Sequence, residues 1–136
     1  MTPLDPNHWL YRLAPDDWLL AARHERAQAM SAFAKHDRRT GVACARRAAG
    51  MAMNALLVLV PNDAWGRSYV EHLRAARGDE ALPLAVREAA GLLVDASLSA
   101  PRLVQLGGTA DDGLVAAATS VIGWCAERVE RLTSSG

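Results

Sequence analysis

The sequence predicts an all-α fold, an up-and-down helical bundle of about five helices, on three observations. Half of its 136 residues are hydrophobic, drawn mainly from Ala, Leu and Val, with four Trp and one Phe. Ala and Leu are strong helix formers that let helices approach closely. The apolar residues recur at spacings of three, four and seven, and no stretch alternates with a period of two. Breakers at Pro15, Pro61-Asn62-Asp63, Gly78-Asp79 and Pro83 divide the chain into helix-sized pieces. The length suits one domain with a real core. A lead-in over residues 1–14 and a single bundle over 15–134 are the expected parts.

The lead-in carries Trp9, Tyr11 and Leu13, which are expected to pack across the bundle. Pro15-Asp16-Asp17 then opens a helix, with Pro at an early position and carboxylates at the positive end of the helix dipole. Its apolar stripe is Trp18, Ala22, Ala29 and Phe33, with Leu19 and Met30 beside it, and it should reach about Lys35. A second helix is expected from about Arg39 to Leu59. Val42, Ala45, Ala49, Ala52, Leu56 and Leu59 share one face; Arg39, Arg46, Gly50 and Asn54 lie opposite, flanked by Arg47.

A third helix, about Ala64 to Arg77, carries Trp65, Tyr69, Val70 and Leu73. A fourth begins at Pro83 and presents Leu84, Val86, Ala90, Leu93 and Val94 to about Ala96. Ser99 to Asp112 is the longest irregular stretch. The last helix starts near Asp111 and runs to Arg131, with Leu114, Ala118, Val121, Cys125, Val129 and Leu132 on its inner face.

Formal net charge is zero, which argues against a protein that coats nucleic acid. Fourteen of the fifteen basic residues are Arg. They are unevenly placed: Trp18 to Arg74 holds nine basic and four acidic residues, a net of +5. That half is either a surface for an anionic partner or an Arg-rich solvated exterior. Cys44 and Cys125 lack a second ligand at zinc spacing and read as buried small hydrophobes. His24 and His36 have no ligand spacing either, so no metal and no cofactor is expected. The start of the chain has neither the basic residues nor the apolar core of an export signal, and Ala55 to Pro61 is too short an apolar run to span a bilayer. A cytoplasmic protein without a membrane segment is the expectation.

The run Ala43-Cys-Ala-Arg-Arg-Ala-Ala-Gly-Met-Ala-Met-Asn-Ala-Leu-Leu57, followed by His72-Leu73, resembles the second and third helices of the HEPN family, a group of helical bundles associated with nucleotides and RNA. Val86 to Arg102 and the Ala-rich helix after Asp111-Asp112 are similar in order to the rest of that family, so the resemblance spans about Trp18 to Leu132. Arg46-Arg47 stands where the family often has Gln-Gln, and Asn54 where it usually has Lys. Gly50 replaces a Glu, and Arg102 is followed by Leu103-Val104 instead of Tyr-Pro.

The resemblance implies a nucleotide- or RNA-associated binding or regulatory role, as a homodimer and beside a nucleotidyltransferase, in the manner of toxin–antitoxin pairs. Ligand contacts would fall to Arg46, Arg47, Asn54, Trp65 and Tyr69; the two aromatics, four apart, either stack a base or belong to the core or a dimer interface. The alternative it implies is a metal-independent endoribonuclease, since active members use Arg, four to six residues, then His. Arg67-Ser-Tyr-Val-Glu-His72 has that form. The His would assist attack of the ribose 2′-hydroxyl and the Arg would stabilise phosphate charge. On one continuous helix five residues turn through about 500°, so the two side chains would diverge by about 140°. They converge only if Arg67 lies at the frayed start of the helix or a dimer partner completes the site. A helical interaction domain of an unrelated family is the remaining reading.

Overall fold

The computed structural model describes residues 9–97 and 110–134. They form five α-helices: α1 Pro15–Ala34, α2 Arg38–Leu59, α3 Tyr69–Gly78, α4 Leu84–Asp95 and α5 Ala110–Ser134. Two 3-10 turns, Trp9–Arg12 and Asp63–Trp65, precede α1 and α3, and no strand occurs among the described residues. The lead-in is fastened by Leu10, which is buried and whose carbonyl accepts from Trp18 Nε1 at 2.9 Å.

α1 and α2 form a tight antiparallel pair. The turn between them is a Schellman closure: His36 N donates to Phe33 O and Asp37 N to Ala32 O. His36 occupies its left-handed position, at φ 61°. Asp37 then caps α2 by accepting from Thr40 N at 3.2 Å, and the side chain of Thr40 together with that amide holds its carboxyl below the usual carboxylate range. Gly41 passes under the ring of Phe33, where a Cβ would collide, while further along Glu25 meets Arg47.

α2 is the axis of the bundle and packs against each of the other four helices. By length and composition alone it would be apolar and long enough to cross a membrane; here most of it is buried inside the bundle. The expected inner stripe is buried from Val42 to Leu56, but so is half of the face expected opposite, where Arg39 is exposed and Arg46 half-buried. Gly50 and Asn54 are fully enclosed, because α3 lies across that side. Leu59, Met30, Leu84 and Leu132, placed inward by periodicity, are exposed. Each lies at a helix end or at the margin of its stripe, where the neighbouring helix no longer covers it.

The helix expected from Ala64 is broken. Gly66 turns to φ 71°, and Ser68 and Glu71 start α3 afresh with a capping box. Ser68 Oγ accepts from Glu71 N at 3.1 Å, and the Glu71 carboxylate accepts from Arg67 N at 2.6 Å and Ser68 N at 3.3 Å. These backbone donors hold the Glu71 carboxyl below its ordinary range. Pro101, Arg102 and Gly107-Gly108 lie outside the described residues, as do the side chains of Trp9, Tyr11, Asp111 and Asp112.

Candidate functional site

The polar residues singled out on α2 and α3 fall into three separate groups. In the first, Asn54 from α2 and His72 from α3 are both 0% exposed. His72 Nδ1 is 2.6 Å from Trp65 O, and its Nε2 is 2.8 Å from Asn54 Oδ1. A backbone carbonyl only accepts, so in a neutral ring Nδ1 carries the proton and Nε2 must receive a donor. Asn54 Nδ2, as placed, has no partner among the described residues. With the amide turned so that Nδ2 donates to Nε2, both ring nitrogens are paired. Burial pushes the His72 pKa down, which favours this neutral arrangement. The ring also receives Tyr69 edge-on, with centroids 6.3 Å apart.

Arg67 does not join this group. It is exposed in the connection ahead of α3, offering its backbone N–H to Glu71. His72 has both nitrogens engaged and no exposed surface. Among the described residues, therefore, no arginine bonds to an imidazole nitrogen of His72, and no hydrogen bond joins Arg67 to it.

Arg46 caps a helix. Its Nε donates to Leu93 O at 2.7 Å, and its Nη2 donates to Val94 O at 3.1 Å and Ala96 O at 2.7 Å. These are the carbonyls that the end of α4 leaves without intrahelical donors, at the negative end of its dipole. Partial burial lowers the Arg46 pKa. Arg47, one residue on, points to another side and pairs with Glu25 of α1 at 3.1 Å. The Arg46–Arg47 pair is thus divided between two helices and lines no common groove.

Tyr69 packs directly on Gly50, where any Cβ would strike its Cβ and ring. Burial raises the Tyr69 pKa, and Arg47 and Glu25 are near enough to act on it electrostatically. The Cys44 thiol, buried and facing Glu25, is also pushed up. Cys125 is more deeply buried and its thiol is raised further still, so both cysteines are structural. Trp65 and Tyr69 do not share a helix face; the break at Gly66 separates them.

Trp65 instead helps to line a hollow of about 450 Å³, with Leu56, Leu82, Trp124 and Arg128 among its walls. Trp65 is 5% exposed, and its buried Nε1–H has no acceptor among the described residues. Trp124 is half-buried, and Arg128, one turn further along α5, is exposed. Glu127 and Arg131, also on the rim, pair with each other at 2.6 Å. Trp124 and Arg128 escaped the sequence reading because the inner stripe of α5 passes beside them. Their spacing of four, an aromatic and a cation one turn apart, was the available signal. Among the described residues no group of three or more His, Cys, Asp and Glu is placed to hold a metal. Comparison of the chain with protein-family models, curated proteins and solved structures finds no match.

Proposed function

We propose that the chain is a binding or regulatory bundle of the HEPN type, serving a nucleotide or RNA ligand and a nucleotidyltransferase partner without cleaving RNA itself. The observation that carries this reading is the internal use of its polar residues. His72 is closed between Asn54 and Trp65, and Arg46 is spent on the end of α4. What supports the family type is helix order: a long central α2 bearing Ala43–Leu57, a short α3 bearing His72-Leu73, then α4 and a long α5. The hollow at Trp65 and Trp124 is the ligand seat in this reading. Its volume lies in the range of small-molecule sites. An indole face would stack a base, and Arg128 would meet a phosphate.

Tryptophan fluorescence titrated with AMP and with a short RNA tests the seat, and co-purification with a neighbouring nucleotidyltransferase tests the partner. Saturable quenching that Trp124→Ala and Arg128→Glu weaken is expected, with the RNA left intact. The absence of both saturable binding and a complex would overturn the reading. So would RNA cleavage by the protein that disappears in a folded His72→Gln variant, which would restore the endoribonuclease.

A further inference from the structure

α1 turns an outward face to solvent that is centred on Leu20, which is 66% exposed. At about 100° per residue, Asp16, Asp17, Arg23, His24, Ala27 and Ser31 all lie within roughly 60° of Leu20 around the helix. All six are exposed. Met30, 54% exposed, extends the apolar part at one margin. At the other, Leu13, Ala21 and Met51 continue it into an open hollow of about 780 Å³. Apolar surface rimmed by charges in this way marks a place where another molecule sits.

The charges on this face are arranged by inversion about Leu20. The two acids precede it by three and four residues, and the arginine and histidine follow it by three and four. Asp16 and Arg23 lie to one side of the Leu20 line, Asp17 and His24 to the other. None of the four makes a side-chain hydrogen bond or ion pair with a described residue. A second α1 laid antiparallel across the first, Leu20 on Leu20, brings each acid against a base on both sides. A parallel arrangement sets acid on acid and base on base. Self-complementarity under a two-fold axis is what an isologous dimer requires of its surface.

We infer that this face is an interface for a second copy of the chain, packed antiparallel about Leu20, with Asp16 meeting Arg23 and Asp17 meeting His24 across the two-fold axis. The inference does not depend on the ligand or the reaction, so the seat at Trp124 and the dimer fail or stand separately.

Sedimentation of the full chain across the micromolar range is the test. The unsubstituted protein is expected to sediment as a dimer, and Leu20→Glu to weaken association about 100-fold by burying two unpaired carboxylates. Asp16→Arg and Arg23→Asp should each weaken it about 10-fold. Mixed together, these two variants should recover a heterodimer, since arginines on one copy then meet aspartates on the other. All the substituted side chains are exposed, so circular dichroism and the melting temperature should stay close to those of the parent. A monomeric parent overturns the inference and leaves the face to a different protein. It is equally overturned if the two charge variants remain dimeric alone or fail to associate when mixed.

Discussion

Asn54 and His72 at the α2–α3 crossing, and Asp16 and Arg23 on the outside of α1, are four polar residues placed under opposite rules. The first two are fully enclosed and bonded to each other, with the far side of the imidazole closed by Trp65 O. The second two are exposed and make no side-chain bond to the described residues. Burial without a partner costs about 1–3 kcal/mol per polar group, so the interior had to be closed internally. Solvent imposes no such demand on α1, and its charges remain available to another molecule. Groups already satisfied inside the fold are poor candidates for chemistry.

The largest expected effect breaks the interior. His72→Ala removes a buried ring and strands both Asn54 and Trp65 O, which should cost about 3 kcal/mol or more in urea unfolding. Asn54→Ala should cost about 2 kcal/mol by leaving Nε2 without a donor. The two losses should fall well short of additive, because the second substitution removes a bond already gone. Full additivity would mean that Asn54 and His72 are not coupled.

Two adjacent arginines sharpen the contrast within one helix. Arg46→Met withdraws three charge-assisted bonds from the end of α4 and should cost about 2 kcal/mol. Arg47→Met withdraws one contact from Glu25 while its own side chain is 43% exposed, and should cost under about 1 kcal/mol. Comparable losses for the two would show that α4 is not held by Arg46.

Periodicity located the helices because each buries a stripe, and a stripe is a property of one segment. It placed Gly50 and Asn54 on an open face of α2 because it cannot tell how many neighbours a central helix has. Gly50 was the residue that spoke for a second buried side, being the only one small enough to lie beneath Tyr69. The start of α3 was also readable: Ser68-x-x-Glu71 after a glycine is a capping box, and it outweighed the apolar pattern that runs through from Trp65. The closure of Arg46 on α4 was not readable, since it joins residues nearly fifty positions apart through side-chain geometry alone. The candidate site thus appeared in the sequence as a set of polar residues, and only the packing showed where each was used.

Acid should loosen the interior at His72. The folded His72 pKa lies below the ordinary value of about 6.5, so as pH falls through that value the unfolded chain takes up a proton that the native imidazole refuses. Stability therefore falls with decreasing pH from about 6.5 down to the folded pKa, by at most about 1.4 kcal/mol per pH unit for this one group. The groups facing it are Asn54, the Trp65 carbonyl and Tyr69, with the Glu71 carboxylate acting at longer range. Glu71, also held low, loses its contribution only at more acid pH. His72→Gln should flatten the slope near pH 6 and leave the lower limb in place; an unchanged slope would assign it to another histidine.

The smallest effect has opposite signs inside and outside. Gly123 lies exposed in the middle of α5, and a Cβ there meets nothing, so Gly123→Ala should gain about 0.5–1 kcal/mol of helix propensity. Gly50→Ala gains the same propensity but drives a methyl group into Tyr69 at its Cβ, where the side chain cannot swing aside. Overpacking of that kind costs about 1–3 kcal/mol, leaving a net loss of about 1 kcal/mol. Thermal melts of the two variants should move in opposite directions by a few degrees. If Gly50→Ala instead raises the melting temperature as Gly123→Ala does, α3 is not pressed against α2 at that point, and the enclosure of Asn54 and His72 loses the contact that seals it.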